Sequence, residues 1–353
     1  MMTDSSRQPE RILVVRTDGL GDVLLSTPVL SVLREQFPNC YLGLLVSPYT
    51  REVVEGHPAL DAVFSDEMKE KHRGFKGLML LAREIKGHRF DTVIVLRPTL
   101  RLALLGKLAG IPVRIGSGYR AYSLLFNRRV FEHRKDVVRH EVAYNLNLVS
   151  ALGVPSEKAM PTVQITEDEK QAIRTRLNNQ ELRSGTPLIV LHPGSGGSAR
   201  DWPGTRFAEL ADLLAAESMG RVVITGGPHE IGLVRSITEE MKSTAVNLAG
   251  KTTIKEMAAL LAVSKLCVAN STGPMHLSAT VGTPTVALFC PITPCSPTRW
   301  GPYGEGHIVL KPEVPACPKC VEKACPYYDC MTRISVESVF QAVKEILQPV
   351  NEI

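Results

Sequence analysis

The sequence predicts an α/β fold made of two doubly wound domains that face each other across a cleft. In both halves of the chain, short buried apolar runs alternate with segments whose apolar residues recur at helical spacing. Each half also begins with a strand-like run, at 12–15 and at 187–191, that leads directly into a glycine-bearing turn. The 353 residues are enough for two domains that each bury a core.

The first half supplies the elements of an N-terminal domain. Further buried strands are predicted at 41–46, 91–96 and 113–116, and helices at 29–37, 75–86, 100–109 and 140–152. Gly153 follows the last of these helices and Pro155 stands just beyond it, as is typical of a helix end. A polar stretch at 166–186 separates this series from the next, so we expect the first domain to span residues 1–180.

The second half repeats the alternation of strands and helices. Strands are predicted at 187–191, 221–225, 266–269 and 285–289, and helices at 207–216 and 255–262. We therefore expect a second domain at 187–335, followed by a C-terminal helix at 336–353.

The composition is that of an ordinary globular protein, with 44% apolar and 22% charged residues. No apolar run approaches the ~20 residues that span a bilayer. The polar residues 1–7 do not resemble a secretory signal. These features predict a cytoplasmic protein.

Positive charge is concentrated in one part of the chain. Residues 69–139, here called the basic band, contain 17 Lys and Arg against 5 Asp and Glu, an excess of 17 − 5 = +12. Such a band is either a solvated face without a partner or a surface for anionic lipid headgroups, a phosphorylated glycolipid or nucleic acid. Aromatic residues make up only 5% of the chain and are not interleaved with the basic ones, which argues against nucleic acid.

Two carboxylates follow the first predicted strand. Asp18 and Asp22 stand with Gly19 and Gly21 in the turn after that strand. Because ligands of open α/β sheets bind at the carboxyl ends of the strands, the turn predicts part of an active site. Its glycines lack the spacing of a dinucleotide-binding Gly-x-Gly-x-x-Gly motif, so nicotinamide chemistry is not favoured.

The second half contains a candidate anion site. Its two glycine-bearing loops each follow a predicted strand and precede a helix, where backbone amides and hydroxyl groups can meet phosphate oxygens. The candidate binding residues are Ser195, Gly196, Arg200, Glu230, Ser271, Thr272, Gly273 and His276. Two such loops in one domain favour a diphosphate held between them, although similar loops also occur as turns without a ligand.

Some residues near these loops have structural alternatives. Glu230 either accepts hydrogen bonds from ribose hydroxyl groups or is a solvated residue at a helix N-terminus. His276 either donates to a phosphate or caps and packs its own helix. Trp202 is expected in the core, because an aromatic residue followed by proline often anchors a loop.

Several motifs together resemble those of the ADP-heptose:lipopolysaccharide heptosyltransferase family, glycosyltransferase family 9. The motifs are RTDGLGDVLLSTP at 16–28, HPG at 192–194, WP at 202–203, GGP at 226–228, NSTGPMH at 270–276 and GTP at 282–284. They cover nearly the whole chain in the family's order. The resemblance implies a fold of the GT-B type with two Rossmann-like domains, a nucleotide-sugar donor on the C-terminal domain, and a lipid-linked acceptor on the N-terminal one. It also implies inversion at the anomeric carbon without a catalytic metal or other cofactor.

The resemblance also assigns roles to single residues. Asp22 matches the family's general base, and a carboxylate in that place can accept the proton of an attacking hydroxyl group. Asp18 is its rival and is expected, with Gly21, on the acceptor side. Arg200 stands where the family usually has lysine, and either cation can neutralise a departing diphosphate. Ser271 stands where many relatives have aspartate, which removes a charge near the donor.

The expected activity is transfer of a heptose from ADP-heptose to a lipopolysaccharide inner core, on the inner face of the cytoplasmic membrane. The expected partners are the nucleotide sugar, a lipid-linked glycan and an anionic membrane surface, without nucleic acid. Three alternatives remain open. They are transfer of another nucleotide-linked sugar to a different glycan, a sugar-nucleotide-binding protein without turnover, and a nucleotide-sugar epimerase.

Four cysteines near the end of the second domain form a C-x2-C-x4-C-x4-C pattern. They are Cys317, Cys320, Cys325 and Cys330. Four thiols within 14 residues suit a tetrahedral structural zinc site. The alternative is a group of reduced thiols, since a disulfide is not favoured in the cytoplasm.

Overall fold

The structure is a computed structural model that describes residues 8–155, 159–178 and 186–347. The chain divides into two compact units, Met1–Gln164 and Ile165–Ile353. Residues 179–185 of the predicted polar segment at 166–186 and residues 348–353 of the predicted C-terminal helix lie outside the described ranges.

The first unit alternates strands and helices. Its elements are β1 (Arg11–Val15), α1 (Leu20–Leu24), α2 (Thr27–Gln36), β2 (Tyr41–Val46), α3 (Arg51–Val54), β3 (Ala62–Ser65), α4 (Gly74–Gly87), β4 (Thr92–Val95), α5 (Leu100–Leu108), β5 (Val113–Ser117), β6 (Arg128–Val130) and α6 (Glu141–Val149). All strand pairs are parallel, and the sheet order is β3-β2-β1-β4-β5-β6.

Burial explains the place of β1 and the packing of α4. Residues 12–15 are at most 1% exposed, because β1 lies between β2 and β4 and is covered on both faces. On α4, Leu78, Leu81 and Ile85 pack into the core of this unit. Met79 on the same helix is instead 44% exposed. Leu78, Leu81, Ala82 and Ile85 of the predicted helix at 75–86 therefore belong to the core, although the helix lies within the basic band.

The second unit has the same alternation. Its elements are α7 (Glu167–Asn178), β7 (Leu188–His192), α8 (Gly204–Ala216), β8 (Arg221–Ile224), α9 (Ile231–Glu240), β9 (Val246–Asn247), α10 (Ile254–Ala262), β10 (Leu266–Asn270), α11 (Gly273–Thr280), β11 (Thr285–Leu288), α12 (Pro297–Trp300), β12 (Ile308–Leu310) and α13 (Val336–Leu347). All strand pairs are parallel again, in the order β12-β11-β10-β7-β8-β9.

Both sheets have the strand order of a Rossmann fold, since each unit's six strands follow the order 3-2-1-4-5-6 when numbered within the unit. The order reverses between the first and fourth strands, and ligands of such sheets bind outside the carboxyl ends there. In the first unit this point lies between β1 and β4, and in the second between β7 and β10. The turn that contains Asp18 and Asp22, here called the carboxylate turn, follows β1. The two glycine-bearing loops follow β7 and β10.

The strands that sequence patterns did not predict are the edge strands of the two sheets. They are β3, β6, β9 and β12, and each has two to four residues. Runs this short carry too little periodicity to be recognised. Among the described residues, no helix combines the length and apolar character needed to cross a membrane.

Candidate functional site

The carboxylate turn of the first unit joins β1 to α1. Gly19 precedes α1, and Asp22 lies in the first turn of that helix with its side chain 25% exposed. A Cβ atom on Gly19 would lie 3.2 Å from Oδ2 of Asp22, so a larger residue would press on the carboxylate. Gly21 is buried within α1. The turn therefore presents the Asp22 carboxylate at the carboxyl end of β1.

A buried arginine holds both carboxylates of the turn. Arg16 follows β1 directly and is 1% exposed. Its Nε donates to Oδ1 of Asp18 at 2.8 Å, and its Nη2 donates to Oδ1 of Asp22. Oδ2 of Asp18 accepts a second hydrogen bond, at 3.0 Å, from Arg97 after β4. Asp18 is thus held by two guanidinium groups, and Asp22 is the more available of the two carboxylates.

Helix α6 completes this cluster with two side chains that sequence patterns missed. Nη1 of Arg16 donates to Oε1 of Glu141 and to Oδ1 of Asn145, both at 3.1 Å. Asn145 also donates to the Leu25 carbonyl oxygen at 3.0 Å, and Arg134 donates to Glu141. Glu141 and Asn145 are both 0% exposed. The spacing of four residues places both side chains on one face of α6, but it does not identify Arg16 as their partner.

Burial and charge set the protonation of the cluster. Burial raises the pKa of Asp22 above its ordinary value, and the guanidinium of Arg16 opposes that rise. Burial lowers the pKa of Arg16, but the carboxylates of Asp18, Glu141 and Asp22 outweigh burial and raise it overall. Arg16 is therefore a fixed cation. Asp22 is a stronger base than an exposed aspartate and can accept a proton.

In the second unit, the loop after β7 needs glycine for its backbone. Gly196 and Gly197 have φ angles of +57° and +80°, which favour glycine. Glu230 braces this loop, since its Oε1 accepts from the Gly196 amide at 3.1 Å and its Oε2 from the Gly227 amide at 2.7 Å. A Cβ atom on Gly194 would lie 2.0 Å from Oε1 of Glu230. The predicted ribose-binding carboxylate is thus also a structural support.

His192, at the end of β7, is neutral at pH 7. Burial lowers its pKa to about 4, despite the Glu230 carboxylate 3.7 Å from its Nε2. Its Nδ1 shares a hydrogen bond of 2.9 Å with the hydroxyl group of Thr225. The ring therefore supports the base of the loop without adding charge.

Asn270, the last residue of β10, ties the two loops of this unit together. Its Oδ1 accepts from the Trp202 amide at 2.9 Å, and its Nδ2 donates to the Pro193 carbonyl oxygen at 2.5 Å. Trp202 is 1% exposed and its Nε1 donates to the Ile334 carbonyl oxygen, which confirms that it belongs to the core. Because Asn270 is 0% exposed, these hydrogen bonds are buried inside the second unit.

The two loops also meet directly. The Ser198 hydroxyl group donates to the Ser195 carbonyl oxygen at 2.8 Å and lies 3.4 Å from the carbonyl oxygen of Ser271. Thr272 directly precedes α11, and Gly273 is the first residue of this eight-residue helix, whose N-terminus carries the positive end of its dipole. The structure thus brings the loops at Ser195 and Ser271 together. His276 lies one turn into α11, where it is 5% exposed and 6.4 Å from the Trp300 ring.

Arg200 contacts the cysteine segment. Its Nη1 donates to Sγ of Cys320 at 3.0 Å, and its Nη2 donates to the Tyr328 carbonyl oxygen at 2.8 Å. These bonds leave further N–H groups of the guanidinium as potential donors. Residues 317–330 thereby fix the position of the cation that the sequence predicts for the diphosphate.

The structure does not support the predicted zinc site. The four cysteines line one cavity of about 40 Å³ with Arg200, but no three His, Cys, Asp or Glu side chains in the described ranges are placed to hold a metal. The thiols have separate partners, since Cys320 accepts from Arg200 and Cys325 accepts from the Tyr327 amide at 3.4 Å. All eight cysteines are free thiols.

Comparison with known proteins places these features in a family context. A model of glycosyltransferase family 9 (heptosyltransferase) matches residues 78–330. Lipopolysaccharide heptosyltransferase 2 of Escherichia coli K12 is 28% identical over 295 residues, which cover 80% of this chain and 84% of the relative.

Solved structures of two glycosyltransferases have a similar fold. The crystal structure of a family 9 glycosyltransferase from Veillonella parvula is 27% identical and has a TM-score of 0.84, covering 96% of this chain and 97% of the other. The structure of E. coli ADP-heptose LPS heptosyltransferase II is 24% identical with a TM-score of 0.79, covering 96% and 98%. The predicted α/β fold of the GT-B type, with two Rossmann-like units, is confirmed.

Proposed function

The chain belongs to glycosyltransferase family 9, the heptosyltransferase family, and we propose that it transfers a heptose from ADP-heptose to a lipopolysaccharide inner core. The observation that carries this proposal is the Asp22 carboxylate, which buried Arg16 holds at the carboxyl end of β1. The name of the E. coli relative supports the choice of a lipopolysaccharide acceptor.

In the proposed reaction Asp22 is the general base. An acceptor hydroxyl oxygen forms a bond to the anomeric carbon as its proton passes to Asp22, and the bond from that carbon to the ADP oxygen breaks. The electron pair of the broken bond leaves with ADP, so a single displacement inverts the anomeric configuration. Arg16 keeps the carboxylate oriented, and Asp18 and Gly21 shape the acceptor side of the turn.

We propose that the second unit binds the donor through the loops after β7 and β10. The hydroxyl groups of Ser195, Ser271 and Thr272, the start of α11 at Gly273, and Arg200 and His276 supply donors to the diphosphate. Gly196, whose own amide donates to Glu230, shapes the loop beside them. Glu230 accepts from the ribose. A guanidinium and oriented N–H groups can stabilise the departing diphosphate, so the proposal needs no catalytic metal.

The test is an assay of the purified protein with ADP-heptose and a deacylated inner-core acceptor, with and without EDTA. We expect a heptosylated product in both cases. A panel of other nucleotide sugars examines the alternative donors that Ser271 leaves open. Transfer from another donor but not from ADP-heptose would overturn the donor assignment, and loss of transfer on EDTA treatment would overturn metal independence.

Replacement of Arg200 tests the donor site. We expect Arg200→Ala to weaken ADP binding in calorimetry by about 1.5–3 kcal/mol, because a charge-assisted hydrogen bond to phosphate is lost. The matched control is Arg235→Ala, since Arg235 is exposed on α9 and pairs with Glu239. Equal ADP affinity of both variants and the unmodified protein would remove Arg200 from the donor site.

We also propose that the basic band attaches the first unit to anionic membrane. On α4, Lys76, Arg83 and Lys86 are exposed. Phe75 is exposed on the same helix, by 67%, as is Met79. A surface that interleaves basic and large apolar side chains is typical of interfacial binding.

Vesicle sedimentation tests this attachment. We expect pelleting with anionic but not neutral vesicles and loss of pelleting at high salt, because the Debye length falls from ~10 Å at 0.1 M to ~3 Å at 1 M. Charge reversal at Lys69, Arg73 and Lys76 should reduce pelleting, and the matched control is charge reversal at three exposed cations of the second unit. These are Arg235, Lys242 and Lys265. Salt-independent pelleting, or equal loss in both variants, would contradict the proposal.

A further inference from the structure

An exposed aromatic group stands at the carboxyl ends of β5 and β6. We call Tyr119, Phe131 and His133 the aromatic platform. The rings of Tyr119 and His133 are stacked with centroids 3.9 Å apart, and Tyr119 meets Phe131 edge to face at 5.5 Å. Tyr119 is 43% and Phe131 62% exposed. The rings are thus ordered by mutual contacts while much of their surface faces solvent.

The backbone makes room for this arrangement. A Cβ atom on Gly118 would lie 2.4 Å from Cε1 of Phe131, so the ring can occupy its place only above a glycine. The Gly118 amide donates to the Val130 carbonyl oxygen at 2.9 Å, which continues the pairing of β5 with β6. The backbone at the carboxyl ends of β5 and β6 therefore holds the Phe131 ring in an exposed position.

The segment between β6 and α6 also contains backbone strain. Val137 has a φ angle of +52°, which is rare for a β-branched residue. Its neighbour Val138 is 68% exposed. Strain of this kind concentrates at binding and catalytic sites, where the surrounding structure maintains it.

Ionic contacts connect the platform to the proposed base. Arg134, the residue after His133, donates to Glu141. Glu141 accepts from Arg16, which also donates to Asp22. His133 is thus joined, through the next residue of the chain, to the ionic network of Arg134, Glu141 and Arg16 that holds Asp22. Platform and carboxylate both follow the carboxyl ends of strands of the same sheet.

We propose that the aromatic platform binds a sugar ring of the acceptor and so places the acceptor hydroxyl group at Asp22. Pyranose rings present faces of C–H bonds whose partial positive charge matches the negative face of an aromatic ring. The inference rests on the proposed function, because it assigns the acceptor subsite of that reaction. Arg120, Lys135 and Arg139 are exposed beside the platform in sequence and suit anionic groups on such a glycan.

The experiment compares platform variants with a deacylated, phosphorylated inner-core oligosaccharide as the probe. We expect Tyr119→Ala and Phe131→Ala each to raise the KM for this acceptor about tenfold or more and to leave the KM for ADP-heptose unchanged. Tyr119→Phe and Phe131→Tyr keep an aromatic face and should retain the original acceptor KM. Leu124→Ala is the matched control, since Leu124 is an apolar side chain of the same unit that is 79% exposed.

A binding measurement separates this inference from the proposed reaction. Saturation-transfer NMR on the unmodified protein should show transfer from aromatic protons to ring protons of the oligosaccharide, and Tyr119→Ala should abolish it. Absence of that transfer in the unmodified protein, or acceptor KM values within twofold of the original in both alanine variants, would overturn the inference. If saturation transfer occurs but no heptose moves, the platform stands and the proposed reaction fails.

Discussion

Asp22→Asn should lower the rate of heptose transfer by about 10²–10⁴ while ADP binding stays unchanged. The amide keeps the shape of the carboxylate but cannot accept the proton of the acceptor hydroxyl group. Single-turnover rates and calorimetry with ADP measure the two quantities separately. An Asp22→Asn variant with the original rate would remove Asp22 from its assigned role.

Asp18→Asn is the matched comparison for this experiment. Asp18 is held by both Arg16 and Arg97, so its replacement should disturb the turn but leave the base in place. We expect a smaller loss of rate than for Asp22→Asn. The reverse order of the two losses would transfer the role of base to Asp18.

The pH profile gives an independent test of the same residue. Asp22 accepts a proton only when it is ionised, and burial raises its pKa. The rate should therefore fall as the pH is lowered, and the fall should begin at a higher pH than for an aspartate with an ordinary pKa. In Asp22→Asn this acid limb should disappear from the residual rate.

Arg16→Met should lower the free energy of unfolding of the first unit by about 3–5 kcal/mol, because it removes a buried cation from Asp22, Asp18 and Glu141. Asp18 then keeps its pair with Arg97, and Glu141 its pair with Arg134. Glu141 is 0% and Arg16 1% exposed, so water cannot replace the lost partner. Urea denaturation followed by circular dichroism measures the change. Part of the loss should be recovered as the pH is lowered, because the folded variant then gains a proton on Asp22 more readily than the unfolded chain does.

Arg97→Met provides the matched control for stability. Arg97 also pairs with Asp18, but its side chain is 64% exposed. Exposed ion pairs contribute about 0–1 kcal/mol, so this variant should unfold close to the original midpoint. Equal destabilisation by the two replacements would show that burial of Arg16 is not the source of its effect.

The sequence predicts those parts of the candidate site that lie within one short segment of the chain. The strand at 12–15 and the turn with Asp18 and Asp22 place a carboxylate at the carboxyl end of β1, and the structure has it there. The partners of Arg16 on α6 were missed because Glu141 lies 125 residues away, and a buried ion pair between distant segments has no local signature. The same holds for Asn270, which joins segments 68 and 77 residues away.

The cysteine spacing, in contrast, predicts a metal site that the structure does not support. The C-x2-C-x4-C-x4-C pattern fits a metal site in one dimension, but spacing does not fix where each thiol points. In the structure Cys320 meets Arg200 and Cys325 meets a backbone amide. The four cysteines line one cavity, but the partner of Cys320 is Arg200, which lies 120 residues earlier in the chain, in the loop after β7.

The dependence of Arg16 on α6 has a consequence for synthesis on the ribosome. Asp18 and Asp22 emerge soon after Arg16, but Glu141 and Asn145 follow more than a hundred residues later. Until α6 leaves the exit tunnel, the nascent sheet can enclose β1 only with an incompletely paired cation, which is unfavourable in an apolar interior. The turn that holds Asp18 and Asp22 is therefore completed near the end of that unit's translation, since domains generally fold as units during synthesis.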